Sequence, residues 1–179
     1  MNKRGLMTRL ALFLFLLALT VTLACGRAHV QILKPPMNIS TYQNIYVADA
    51  EVSSREQTEN ANAMNEKWAV FAKEEIIRVL ENNEKYNIFQ DSSATSGSLI
   101  LETEVNIVYG SRALRYWIGF GAGAGHCTIH MKLKDSSSGE LNYELRSEAD
   151  LGFGAFGGSM DKVIEDSIKE AVRQFVNGM

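Results

Sequence analysis

The chain has 179 residues and a formal net charge of −3, which allows one domain with a sizeable core. It carries no tract of consecutive basic residues, and this argues against nucleic acid as a partner. Its two cysteines, Cys25 and Cys127, are too few for a disulfide framework.

The first 24 residues read as an export signal. Lys3, Arg4 and Arg9 form a basic start, and an uncharged run follows from Leu10 to Ala24. As a helix this run would be about 22 Å long, against roughly 30 Å for the hydrocarbon core of a bilayer. Such a run is short for a permanent transmembrane helix and typical of a signal peptide.

The signal ends in "VTLAC" (Val21 to Cys25), where a small residue precedes a cysteine. This resembles a bacterial lipobox, in which the signal is cut before a cysteine that then receives acyl chains such as palmitate. We therefore predict a lipoprotein signal peptide at residues 1–24, then a lipidated Cys25 and a tether over residues 25–43. Gly26 follows where Asp would favour the inner membrane, so the outer membrane is favoured. An ordinary signal peptide that happens to contain Cys25 is the alternative.

One globular domain is predicted over residues 44–179. Asn44 to Val52 reads as its first strand, and Tyr86 to Asp91 reads as a short later strand. Apolar residues recur at steps of three and four from Asn65 to Asn83, which predicts an amphipathic helix. The same spacing predicts a final helix from Ser159 to Asn177.

Three further segments alternate between apolar and polar residues, which is typical of antiparallel strands with one wet face. They are Leu99 to Tyr109, Cys127 to Leu133, and Glu140 to Leu151, with a hairpin loop at "DSSSGE" (Asp135 to Glu140). The alternation places Cys127 on the apolar side. The predicted fold is α+β, with an antiparallel-rich sheet of about five strands and two amphipathic helices packed on one face.

Two segments rich in glycine and aromatic residues flank these strands: "YWIGFGAGAG" (Tyr116 to Gly125) and "GFGAFGGS" (Gly152 to Ser159). Antiparallel strand order predicts that both lie at the same end of the sheet. Exposed aromatics beside arginine are common binding anchors, while a tight corner that caps the core is the alternative. The candidate interaction surface comprises Arg112, Arg115, Tyr116, Trp117, Phe120, Phe153 and Phe156.

Cofactor and catalytic motifs find little support. "GFGAGA" (Gly119 to Ala124) fits a dinucleotide pattern, but strand-like alternation follows it where a helix is required. His126 and His130 would lie roughly 13 Å apart along one strand, too far to share a zinc ion. With no recognisable nucleophile and base, we predict a non-enzymatic protein with no cofactor, metal or nucleotide.

"GSRALRYWIGFGAGAGHCTIHMKLKDSSSGEL" (Gly110 to Leu141) resembles a family of bacterial lipoproteins known as domain of unknown function 4410. The positions that carry the resemblance are Arg115, Gly119, Gly121, Gly123, Asp135 and Gly139. The family brings no established reaction, cofactor or catalytic residue. Its order of strands and helices looks like that of periplasmic lipoproteins in envelope assembly and export, including the curli secretion pore subunit, which is an analogy of fold alone.

The residues and the resemblance together predict a lipoprotein of the cell envelope, anchored in the outer membrane and facing the periplasm. Its domain is expected to bind another envelope protein or further copies of itself. The alternative is a subunit of an oligomeric outer-membrane secretion pore or assembly complex.

Overall fold

Seven strands and two helices make up the part of the chain that the computed structural model describes, namely residues 28–55, 59–90, 97–109, 125–150 and 160–179. The strands are β1 (His29–Lys34), β2 (Asn44–Val47), β3 (Glu51–Ser54), β4 (Asn87–Phe89), β5 (Leu99–Val108), β6 (His126–Asp135) and β7 (Leu141–Asp150). The helices are α1 (Glu59–Asn83) and α2 (Met160–Gly178), and a short 3-10 turn at Ile39–Thr41 precedes β2.

The three long strands β5, β6 and β7 form an antiparallel meander, as their alternation predicts. β5 and β6 pair from Leu99 with Asp135 to Val108 with His126, and β7 runs back along β6 until Asp150 pairs with His126. One side of this meander is buried and the other is polar. Register is strongly specified in such a sheet, because a slip of one residue would exchange the two faces.

The rest of the sheet is mostly parallel, so the prediction of about five antiparallel-rich strands is only roughly met. The described strands form one mixed sheet in the order β1-β7-β6-β5-β2-β4, with β3 also paired to β5. β2 lies parallel to both β4 and β5, and β3 continues beside β5. Parallel neighbours require a long crossover connection, which α1 supplies between β3 and β4.

The segment from Asn44 to Val52, predicted as one strand, contains β2 and the start of β3 with a break at residues 48–50. At the break the Ala48 N–H still donates to the Leu101 carbonyl, at 3.1 Å. The two short strands therefore follow one path along β5, because a local irregularity interrupts the pairing without redirecting the chain.

β1 lies inside the segment that the sequence assigns to a tether. His29–Lys34 pairs antiparallel with β7, from His29 opposite Glu148 to Lys34 opposite Glu144. Pro35 and Pro36 follow the strand, where their missing N–H groups end the ladder. The Met37 N–H then donates to the Asn142 carbonyl at 2.9 Å, so this part of the chain is held against the domain.

Both helices lie on the same side of the sheet, which confirms the two-layer α+β arrangement. α1 contacts β2, β3 and β4, α2 contacts β6 and β7, and the helices contact each other. Their buried stripes follow the predicted spacing. Members of these stripes are Trp68, Ala72, Ile76 and Leu80 on α1, and Ile164, Ile168, Ala171, Val172 and Phe175 on α2.

Cys127 faces the helices, as its strand parity predicts. It is buried together with Ile129, Met131 and Leu133. The residues on either side of it in the strand, His126 and Thr128, are less buried. Burial raises the pKa of the Cys127 thiol to about 12, since the thiolate would lose its hydration.

Candidate functional site

The predicted interaction surface lies outside the described residues. Arg112, Arg115, Tyr116, Trp117 and Phe120 fall within residues 110–124, Phe153 and Phe156 fall within residues 151–159, and Cys25 precedes residue 28. The strands that flank these segments are described. Because Val108 pairs with His126 and His126 pairs with Asp150, β5 ends, β6 begins and β7 ends at one end of the sheet. We call this the Asp150 end.

The side of the sheet away from the helices, here called the polar face, is lined with paired charges. Lys132 Nζ lies 2.7 Å from Glu104 Oε1, and Lys134 Nζ lies 2.6 Å from Glu102 Oε2. The hydrogen bond from Lys132 lowers the pKa of Glu104, and the same bond raises the pKa of Lys132. Cross-strand pairs of this kind each contribute about 0.2–1 kcal/mol, so they support the strand register.

A cavity of about 390 Å³ opens on the polar face where β3, β5, β6 and β7 meet. His130 lines it, with Nδ1 3.9 Å from Glu104 Oε2 and Nε2 2.7 Å from Glu144 Oε1. The contact with Glu144 has ion-pair distance but lacks hydrogen-bond geometry. His130 is thus half-buried between two acids.

Several of the charges around this cavity are paired with neighbouring side chains. Arg146, which also lines it, has Nη2 2.5 Å from Glu148 Oε1. Among the described residues, no three His, Cys, Asp or Glu side chains converge as a metal site. The cavity therefore offers a polar surface whose lining includes two acids, Glu51 and Glu104, and one permanently charged base, Arg146.

Thr128, His126 and Asp150 form a chain of polar contacts at the Asp150 end. Thr128 Oγ1 lies 2.9 Å from His126 Nε2, and His126 Nδ1 lies 2.6 Å from Asp150 Oδ1. Hydroxyl, imidazole and carboxylate follow in the order of an acyl-transfer triad, whose carboxylate is buried. Here the Asp150 side chain is 80% exposed, so water weakens its hold on the imidazole. We read the contact of His126 with Asp150 as cross-strand pairing, and the contact of Thr128 with His126 as one between neighbours on the same face of β6.

The described residues that most resemble a binding surface are on β1. Among the described strands, β1 has a neighbour on one side only, so its other side presents backbone groups that can pair with another strand. Ile32 is 54% exposed, Leu33 is 43% exposed, and Met37 just beyond the strand is 50% exposed. We call β1 with these three side chains the β1 edge.

The opposite boundary of the sheet is β4, which pairs with β2 alone among the described strands. It carries one large exposed apolar side chain, Phe89. The sheet therefore has two different boundaries, and each combines a free strand side with exposed apolar atoms.

Sequence reasoning missed the β1 edge because the prolines and the preceding cysteine suggested a tether. A signal was present: Val30 and Ile32 stand two residues apart in "HVQILK" (His29 to Lys34), and period-two spacing of β-branched residues favours a strand. Leu33 breaks this alternation, and the pairing of β1 with β7 is irregular at the same place, between Ile32 and Lys34.

No helix within the described ranges has the length and apolar content needed to cross a bilayer. α1 and α2 are instead amphipathic. The exposed side of α2 carries ion pairs, such as Lys162 with Asp166 and Lys169 with Glu165.

Comparison with known sequences finds one family. The model of the family described as "Domain of unknown function (DUF4410)" matches residues 39–148. Among curated proteins, none matches the chain.

Comparison with solved structures finds the same fold in PelC at low sequence identity, and weaker matches to other proteins. The PelC dodecamer from Paraburkholderia phytofirmans in space group P6 has 10% sequence identity and a TM-score of 0.54, with 85% of this chain and 96% of that chain covered. A variant of PelC in space group C2 has 11% identity and a TM-score of 0.51, with coverages of 82% and 95%. A lipoprotein from Neisseria meningitidis has 10% identity and a TM-score of 0.38, with coverages of 75% and 98%.

Proposed function

Because the chain belongs to the family DUF4410, we propose that it is a non-enzymatic lipoprotein of the cell envelope whose domain associates with further copies of itself. Cys25 carries the lipid anchor, and the domain faces the periplasm from the outer membrane. The "VTLAC" sequence at Val21 to Cys25 supports the anchor. Two or more acyl chains make such attachment stable, whereas one chain gives only marginal binding.

The observation that carries self-association is the β1 edge. Monomeric proteins protect edge strands with charges, bulges or covering elements. Here the one lysine of the strand, Lys34, donates to the Leu141 carbonyl of its own sheet, so its charge does not block the edge. The pairing of β1 is irregular between Ile32 and Lys34, so the regular part of the edge runs from His29 to Ile32. Ile32 and Leu33 remain exposed, which favours a partner that pairs with the strand and covers both side chains.

A second copy fits this edge better than an unrelated chain, because the other boundary of the same sheet offers a complementary partner. β4 carries exposed Phe89 and has one described neighbour. Contact between the β1 edge of one copy and β4 of the next is heterologous, and such contacts generate rings when the rotation closes. The fold shared with the subunit of the PelC dodecamer supports this choice.

The test compares two substitutions of equally exposed aliphatic residues. Ile32→Lys places a charge in the β1 edge, whereas Val70→Lys places one on the helix α1, outside both boundary strands, where Val70 is 53% exposed. In sedimentation of the lipidated protein in detergent, we expect wild type and Val70→Lys to form the same oligomer and Ile32→Lys to dissociate. Equal oligomers for all three would overturn the role of the β1 edge.

The aromatic and arginine residues at 110–124 and 151–159 are a second proposed contact surface. If they supply the contact between copies, Trp117→Ala and Phe153→Ala will give stable monomers while Ile32→Lys leaves the oligomer intact. Loss of thermal stability in these alanine variants would instead indicate that their side chains cap the core.

A further inference from the structure

The boundary of the sheet opposite β1 has a step. β4 lies beside β2, whereas β3 lies beside the later part of β5 and has no second neighbour among the described strands. The step therefore leaves one side of β3 (Glu51–Ser54) without described pairing, further along β5 than the last residue of β4, Phe89. Such a side can pair with a strand of suitable direction and length.

β1 has the direction that this step accepts. β3 runs parallel to β5, and the direction then alternates through β6 and β7 to β1. β1 is therefore antiparallel to β3 of its own sheet. A second copy placed beside the first, with its helices on the same side, presents its β1 antiparallel to the free side of β3. Antiparallel pairs are slightly more stable per residue than parallel ones.

The register of the sheet also puts β1 at the same level as β3. One row of paired residues crosses the sheet from β3 to β1, and its members are Val52, Val105, Ile129, Ser147 and Val30. Val30 and Val52 are thus level with each other at opposite sides of the sheet, and both pack partly against the core. A second copy displaced sideways, without sliding along the strands, brings its Val30 opposite Val52.

The rows on either side match as well. The same pairing makes Gln31 level with Glu51, and His29 level with Ser53. These four residues are exposed. β3 contains one acid, Glu51, and no base, while β1 contains His29 and Lys34 and no acid. The charges of the two strands are therefore complementary, which favours β1 over a second β3 as the partner.

The end of β1 then reaches β4. Through the same rows, Lys34 is two residues of β5 away from the level of Phe89, a distance of about 7 Å along a strand. The exposed side chains of Leu33 and Met37 would therefore come close to exposed Phe89. The two prolines that follow Lys34 end the pairing there, before it would run into β4.

We propose that β1 of one copy docks beside β3 of the next in antiparallel pairing, so that the sheets of neighbouring copies join into one continuous sheet. This inference rests on the proposed self-association and names the strand that receives β1. A contact without sliding along the strands adds no rise from one copy to the next. A heterologous contact needs this condition to close into a ring, since otherwise it continues as a filament.

Disulfide formation between copies tests the pairing. Residues directly opposite in an antiparallel pair have Cα atoms about 4.5 or 5.5 Å apart, within the range that a disulfide bridges. Gln31→Cys and Glu51→Cys, each in a differently tagged copy of the full chain, are co-expressed and purified in detergent. Cys127 is buried, and an acylated Cys25 has no free thiol. We expect mild oxidation to link the two tagged chains, whereas each variant expressed alone stays unlinked.

Asn87→Cys on β4 is the matched control, because Asn87 is also exposed and lies on the outermost strand of the same boundary. In the proposed contact Asn87 is roughly 20 Å from Gln31 along the strands. Gln31→Cys should therefore link to it at least about tenfold less than to Glu51→Cys, because a disulfide spans only a few ångströms. Equal linking to both positions, or linking of Gln31→Cys to itself, would overturn the pairing with β3.

The native mass of the same samples before oxidation separates this pairing from self-association itself. An oligomer in which positions 31 and 51 do not link overturns the contact with β3 and leaves self-association standing. A monomer overturns both the contact and the proposed self-association.

Discussion

Cys127 is a sensitive reporter of strand register. Its thiol faces the helices and is buried beside Ile129 and Met131, while the residues on either side of it belong to the polar face. A slip of one residue would move the thiol to that face. The reactivity of one atom therefore tests the arrangement of the whole meander.

We expect Cys127 to react slowly with a thiol reagent in the folded protein and rapidly in denaturant, because only the thiolate reacts. The Cys25→Ser variant leaves it as the only thiol. Between about pH 8 and pH 10 the native rate should stay far below the unfolded rate, since the folded pKa is about 12 and an ordinary thiol titrates near 8.5. Fast native labelling would show that the register is wrong.

Asp135 connects the hairpin turn to the segment before β2. Its Oδ1 accepts from the backbone N–H groups of Ser137 and Ser138, and its Oδ2 accepts from the Tyr42 hydroxyl at 2.5 Å. The bond from Tyr42 and then those from Ser138 lower the pKa of Asp135 to about 2, from an ordinary 3.8. Gly139 completes the turn with φ 71°, a conformation that glycine adopts readily.

The depressed pKa predicts a pH-dependent contribution to stability. The unfolded state binds the proton more readily, so the contribution is present above pH 3.8 and is lost as pH falls toward about 2. Asp135→Asn should therefore lower the free energy of unfolding near neutral pH and differ less from wild type near pH 2. Tyr42→Phe should shift this loss of stability to higher pH, because the hydrogen bond from Tyr42 is the largest cause of the lowered pKa of Asp135. An equal difference at both pH values would contradict this account.

α2 is fixed to the sheet by close packing near its C-terminus. The Tyr143 and Phe175 rings stack with centroids 4.4 Å apart, and both side chains are fully buried. A methyl group added at Gly178 would approach the Tyr143 hydroxyl oxygen more closely than van der Waals contact allows. Within the described part of the chain that hydroxyl has no hydrogen-bond partner, so removing it leaves no described polar group unpaired.

We predict that Gly178→Ala destabilises the protein by about 1–3 kcal/mol, as overpacking does. Tyr143→Phe alone should have a small effect, and it should restore part of the stability in the double variant because the closest contact is gone. Thermal unfolding of the four proteins gives the coupling energy. Strictly additive effects would show that α2 ends differently from the described helix.

Helices and strands with a repeated burial pattern could be predicted from the sequence. Pairings between segments that are far apart in the chain could not. β5 to β7 and both helices bury one side, so their periodicity is visible in the sequence. The parallel pairing of β2 depends on the position to which the chain returns after the crossover through α1. That position leaves no pattern in the local sequence of β2. The acids around His130, Glu104 and Glu144, come from two other strands, so their approach follows from register and not from spacing.

At the scale of the whole molecule, the two sheet boundaries and the proposed anchor at Cys25 together favour contact between copies in one membrane plane. Cys25 and β1 are close in sequence, so every anchored copy would have its β1 edge at a similar height above the membrane. Copies in the same plane could then meet β1 to β4 without reorientation. This is the physical reason for expecting oligomers of the lipidated protein, since confinement to a surface raises the effective concentration.

The central claim is that the domain associates with itself, and native mass spectrometry of the full lipidated chain in detergent tests it most directly. We predict a discrete oligomer whose mass is an integer multiple of the acylated protomer and which persists on dilution. A heterologous contact whose rotation closes into a ring gives one such species. A monomer at every concentration, or an open-ended distribution of sizes, would contradict the account.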